Sequence, residues 1–145
     1  MQNFDKIKNV INNSVFVAES YLEEHKETIK GDVYAMSNDL NNSSEALKKD
    51  LSKVPIALRT HALVRSLPET YIVNNAGDIL FRAFNNNTRF YEPAKTSFDR
   101  ADSGEMTIMS STQINKVYAL IKLNNFSDYY LYAGRSMDRN VIGAL

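Results

Sequence analysis

Cysteine is absent from the 145 residues, which excludes disulfides, thiol nucleophiles and thiolate metal sites and leaves the redox compartment undetermined. Histidine occurs twice, as His25 and His61, on two separate predicted helices and without a His-Glu-x-x-His pattern, so no metal site is expected. His25 stands at helical spacing from Leu22 and Ile29 and reads as a packing residue at a helix seam. The glycines at 31, 77, 104, 134 and 143 are scattered, so the chain has neither a P-loop nor a dinucleotide fingerprint. No Gly-x-Ser-x-Gly elbow accompanies the serines, and two histidines offer few ways to pair a nucleophile with a base. No apolar run approaches the roughly 18 to 20 residues that cross a bilayer, and Met1 to Val10 lacks the apolar core of a signal peptide. The chain as given therefore reads as soluble, and a loop excised from between two membrane spans would look the same. Charge of one sign is lacking too. Seventeen basic and seventeen acidic residues cancel, which removes the footprint of a nucleic-acid binder.

What remains has the make-up of one globular domain, with 43% hydrophobic and 23% charged residues. Between Phe4 and Leu40 the apolar positions Ile7, Ile11, Val15, Ala18, Leu22, Ile29, Val33, Met36 and Leu40 recur at steps of three, four or seven. That spacing predicts one long amphipathic helix, weakened at Gly31 by about 1 kcal/mol relative to alanine. Asn41-Asn42-Ser43-Ser44 predicts a break with Ser44 capping a short helix, and a further helix is expected from Pro55 to Ser66, stopped by Pro68.

After Pro68 the period changes. Thr70 to Val73 and Ile79 to Phe84 flank the turn residues Asn74 to Asp78 and predict a hairpin. A short helix from Pro93 to Ala101 and three strands, Glu105 to Ser110, Ile114 to Leu123 and Tyr129 to Gly134, follow before Asp138 caps an exit helix. The expected fold class is α+β: a long N-terminal helix on a five-stranded, mostly antiparallel sheet, in the element order of a PAS-like or single-Cache sensor domain. The division is 1–42 leading helix, 43–67 helical connection, 69–134 sheet and 137–145 exit helix. Tyr71-Ile72-Val73 and Tyr129-Tyr130-Leu131-Tyr132 are apolar on successive residues, so both sheet faces should be covered, by the long helix and by the segment 85–104.

Three stretches carry a family resemblance: Tyr21-Leu22-Glu23-Glu24-His25 with Met36 to Asn41; Leu58-Arg59 and Leu67 to Val73 running to Gly77-Asp78-Ile79-Leu80-Phe81-Arg82; and Tyr130 to Arg135 with Asp138 and Val141. In this order they resemble the extracytoplasmic region of NtrY-type nitrogen-regulation sensor histidine kinases, between that family's first membrane spans. The resemblance implies a signal-input domain that is not itself an enzyme and holds no cofactor. It also implies an inner-membrane parent whose kinase core uses ATP and magnesium to phosphorylate an NtrX-type response regulator. The domain would then face the periplasm.

A small-molecule ligand, if bound, is expected between the sheet and the segment 85–104, where Arg82, Arg89, Tyr91, Tyr118, Tyr130, Tyr132 and Arg135 could hold a carboxylate or similar anion. The bland account of the same residues is aromatic core and solvated arginine. The leading helix is expected to pair two copies of the parent through Ile7, Ile11, Val15, Ala18 and Leu22, the alternative being burial within one chain. A signal would shift the first helix against the last, for which a coupling of about 1 to 3 kcal/mol suffices. The rival reading is a PAS-like scaffold or protein-interaction domain that binds no small molecule.

Overall fold

A computed structural model describes residues 2–145, with side chains from Asn3 onward. Its first element, α1 (Gln2–Asn42), has 41 residues and reaches roughly 60 Å at helical rise. Only its second half faces the sheet: Ile29, Val33, Met36 and Leu40 are buried there, at the three- and four-residue steps that keep one stripe of a helix inward. The break foreseen at 41–44 shrinks to Ser43, whose N–H bonds the carbonyls of Asp39 and Leu40. Ser44 does not cap; it is the buried first residue of α2 (Ser44–Lys49). Asn41 instead ties the end of α1 to the last β-turn, accepting from Asn125 N–H at 3.1 Å and from its Nδ2 at 2.9 Å.

A single 3-10 turn at Leu51–Lys53 leads into α3 (Val54–Val64), with Pro55 in its first turn. Leu67 N–H reaches back to Ala62 O at 3.0 Å while Ser66 takes a positive φ of 55°, a left-handed stop made here without glycine. The sheet follows as β1 (Glu69–Val73), β2 (Ile79–Arg82), β3 (Thr107–Ser111), β4 (Lys116–Lys122) and β5 (Tyr130–Ser136). Between β2 and β3 lies α4 (Lys95–Asp102), and α5 (Arg139–Ile142) closes the chain with Asp138 accepting from Asn140 N–H. The strand order is β2-β1-β5-β4-β3 and every pairing is antiparallel, so the α+β class is as expected and the order is compatible with a PAS-like sheet. Three hairpins make the local pairs, and only β1 against β5 joins distant segments.

Alternation along β5 divides the core. Leu131 and Ala133 face α1 and α3 with Ile72, Val117 and Ala119, whereas Tyr130 and Tyr132 face α4 and the segment before it with Tyr71, Val73, Tyr118 and Leu120. The first face carries aliphatic residues from the helices; the second is mostly aromatic.

Gly31 gains nothing from its lack of a side chain. It sits in the exposed middle of α1, and a Cβ there would meet no atom within 4 Å. Gly31→Ala is therefore expected to stabilise the fold by about 1 kcal/mol, seen as a thermal midpoint raised by roughly 2 to 6 °C. An unchanged or lowered midpoint would show that α1 is bent or loosened at this position in solution.

Candidate functional site

Glu69, Gly134 and Tyr118 form one row across β1, β5 and β4, because Glu69 pairs with Gly134 and Gly134 with Tyr118. A Cβ on Gly134 would land inside the Tyr118 ring, so the missing side chain is what lets that ring lie flat across β5 and reach the next strand. There the Tyr118 hydroxyl donates to Glu69 Oε1 at 2.7 Å, and Lys116 Nζ donates to Oε2 at 2.8 Å. Glu69 is only 3% exposed, so this carboxylate is held in the interior by one phenol and one ammonium. Burial, and then the bond to Glu69, pushes the Tyr118 hydroxyl far above its ordinary range and keeps it a donor.

The other tyrosines of this face are built in the same way. Tyr132, raised chiefly by burial, donates to the carbonyl of Tyr91, and Tyr130, also raised first by burial, donates to the Asp102 carboxylate on α4. Tyr118 stacks on Tyr132 at 5.1 Å, Phe90 meets Tyr132 edge-on at 5.9 Å, and Phe98 meets Tyr130 edge-on at 5.1 Å. The space expected to hold a ligand is thus occupied by Phe90, Tyr91 and Phe98 of the chain itself. Tyr118, Tyr130 and Tyr132 are buried core residues, with Tyr91 half-buried against Tyr118. Arg82 and Arg89 lie on the rim with their guanidinium groups over the Tyr71 and Tyr91 rings at 5.7 and 5.1 Å.

Arg135 does not join them. It leaves β5 on the opposite face, where Nη1 donates to the carbonyl of Arg65 at 3.3 Å and Nη2 stands 3.7 Å from Asp32 on α1. Its Nε–H is buried without an acceptor. Arg65 in turn lies 3.7 Å from Asp39 and contacts His61, so a belt of charge joins α1, α3 and the end of β5. Beside this belt, α3 and the Phe84–Asn86 segment enclose an open cleft of about 820 Å³ that includes Leu63, Leu67, Pro68 and Arg135.

The leading helix divides its predicted dimer residues. Ile7 and Ile11 are exposed and Val15 half-exposed, but Ala18 is fully buried and Leu22 packs on the chain's own core. Ala18 has no surface to offer a partner, because α5 lies along the first half of α1, with Val10, Asn13, Val17, Asn140, Val141 and Ala144 lining one groove. Asp138 N–H donates to the Tyr21 hydroxyl at 2.9 Å at the same junction.

His25 lies there too, against the Tyr21 ring at 4.3 Å and with its Nδ1 buried and unbonded. Burial, then the positive charge of Arg135, holds its pKa below 6.5, with Glu24 opposing. Proton uptake therefore favours the unfolded chain, and the stability this histidine contributes is present above pH 6.5 and lost as pH falls below it. Urea unfolding at about pH 7.5 and about pH 5.5 should show a stability loss that His25→Gln diminishes; an equal loss in both chains would contradict this assignment.

The family model described as the NtrY N-terminal region matches residues 4–144. This chain belongs to that family. It is 30% identical over 141 residues to the nitrogen regulation protein NtrY of Azorhizobium caulinodans, covering 97% of this chain and 18% of that protein. It is also 33% identical over 144 residues to proteins named NtrY-like sensor histidine kinase in Rickettsia conorii and Rickettsia felis, covering 96% of this chain and 24% of each relative. The chain thus spans about a fifth to a quarter of the length of these relatives. No solved structure matches it. Among the described residues no helix is long and apolar enough to cross a membrane, and no group of His, Cys, Asp and Glu is placed to hold a metal ion.

The glutamate row is what sequence reading missed. An acidic residue opening a strand looks like surface, and its partners stand 47 and 49 positions away. The one available signal was Gly134 within an otherwise bulky strand, a mark of close approach by another group.

Proposed function

We propose that this NtrY N-terminal region is the extracytoplasmic signal-input domain of a membrane sensor histidine kinase that acts in a two-component system with an NtrX-type response regulator. The family membership supports the sensor-kinase assignment. The observation that supports a loop between two membrane spans is the docking of α5 along the first half of α1, which brings the two ends of the domain to one side; the extracytoplasmic side follows from the family reading. A displacement of the sheet would reach α1 through Asp32–Arg135 and Asn41–Asn125, and α5 through Tyr21–Asp138, so the two flanking helices respond to one body. In the parent, two copies associate through the exposed Phe4, Ile7 and Ile11 at the front of α1, without Ala18.

Alkaline phosphatase, active only outside the cytoplasm, tests the placement when inserted into the parent protein at the exposed Asn86. High phosphatase activity is expected. Low activity, together with a fluorescent insertion of a cytoplasmic reporter at the same position, would overturn the reading. One finding favours a scaffold that binds no small molecule at the sheet: the aromatic face is filled by the chain's own Phe90, Tyr91 and Phe98. Any ligand must then be received elsewhere.

A further inference from the structure

We propose that the cleft between α3 and the end of β5 binds a small amphiphilic carboxylate, its tail along Leu63, Leu67 and Phe84 and its head on Arg135, in competition with Asp32 of α1. This deepens the signal-input reading and rests on it for its meaning to the parent kinase. The volume of about 820 Å³ falls within the range of roughly 300 to 1,000 Å³ that small-molecule sites occupy. Its walls come from α3, the connection 66–68, the Phe84–Asn86 segment and β5. They are aliphatic and aromatic, with Ser66, Asn85, Asn86, Arg135 and Ser136 as polar members.

Arg135 decides the head group. A guanidinium binds a carboxylate best through two parallel N–H groups, and here Nε has no acceptor while Nη2 has only a distant Asp32 oxygen at 3.7 Å. That side-on fork is incompletely used and its Nε is buried, so a ligand reaches it only by displacing Asp32, while the arginine stays anchored through Nη1 to the Arg65 carbonyl. A ligand carboxylate that takes the fork supplies both missing acceptors and releases Asp32. Arg135 is followed by Ser136, Met137 and the Asp138 cap of α5, and Asp32 sits on α1. The exchange of one carboxylate for another therefore acts on the leading and exit helices together, which is the pair a transmembrane signal must move. The wall itself is held in an uncommon backbone state, Ser66 at φ 55°, which a bound tail can favour or relax.

Octanoate is the probe, with 1-octanol and octylamine as controls of equal chain length, measured by calorimetry and thermal unfolding of the purified chain. Octanoate should bind saturably and raise the midpoint, and neither control should do so at the same concentration. Leu63→Glu, a change at a residue 62% exposed, puts a like charge on the rim and should weaken octanoate by about tenfold or more. Val64→Glu, at a neighbour 78% exposed that does not line the cleft, should leave it unchanged. Arg135→Gln should abolish binding, whereas Asp32→Asn, which removes the competitor, should tighten it. Absence of octanoate binding, equal binding of octanol, or insensitivity to Leu63→Glu would overturn the cleft. Weaker binding by Asp32→Asn would overturn the competition. If octanoate fails while the phosphatase insertion is active, the cleft falls and the signal-input reading stands; if the insertion is inactive, that reading falls whatever the cleft binds.

Discussion

Gly134→Val is expected to leave little folded protein. The valine Cβ would coincide with the Tyr118 ring, which is packed against Tyr132 on one side and covers the backbone of a central strand on the other. The ring cannot yield without withdrawing its hydroxyl from Glu69, so steric overpacking and the loss of a buried charge-assisted bond are coupled in one event. Overpacking alone costs about 1 to 3 kcal/mol and a hydrogen bond to a charged group about 1.5 to 3, against a total stability of about 5 to 15 for an ordinary domain. Gly134→Ala should already lower the denaturant midpoint clearly, and Gly134→Val should exceed it. If both variants unfold like the parent sequence, Tyr118 does not lie over β5 and the row across the sheet is misassigned.

Removing Glu69 comes next in size. Glu69→Ala takes the acceptor from Lys116, whose side chain is 16% exposed, and from the buried Tyr118 hydroxyl, leaving an ammonium and a phenol without their partner. Breaking a buried pair from one side costs about 3 to 5 kcal/mol, most of it the penalty of the group left behind. Tyr118→Phe removes one donor and leaves the ion pair standing, so about 1 to 2 kcal/mol is expected. The double change Glu69→Leu with Lys116→Met should recover much of the loss, since an apolar pair of similar volume often replaces a buried ion pair without harm. Equilibrium unfolding of the three variants checks the order; a Glu69→Ala chain as stable as Tyr118→Phe would mean that the carboxylate is solvated.

The fold was largely legible because its signals are periodic. The apolar stripe from Phe4 to Leu40 gave a helix that runs Gln2–Asn42, and the bounds of β1, β2 and β4 fall within two residues of those expected. Departures have local causes. The Asn-Ser cluster reads as a loop by propensity, yet only Ser43 interrupts the helical run and Ser44 opens the next helix, because Ser44 and Leu47 are buried. β5 runs on through Arg135 and Ser136 because β4 pairs with it as far as Lys116, which no local pattern reveals.

The site was legible only by residue type. Arginines and tyrosines marked residues of one region, but a run such as Tyr129 to Tyr132 does not state which side each member takes. Register assigns Tyr130 and Tyr132 to the aromatic face and Arg135 to the helical one, two groups that sequence reading had placed together. On α1 the same limit applies: helical spacing marks Ile7, Ile11 and Ala18 alike, and only the return of α5 separates the exposed pair from the buried alanine.

The absence of cysteine allows two spin labels to be placed cleanly at Asn13 of α1 and Asn140 of α5, which line one groove. Pulsed dipolar spectroscopy of that doubly labelled chain tests whether the first and last helices are held as a pair. A single, narrow, short distance is expected; a broad or long distribution would show that α5 does not dock on α1, and the account of how a signal leaves this domain would fail with it.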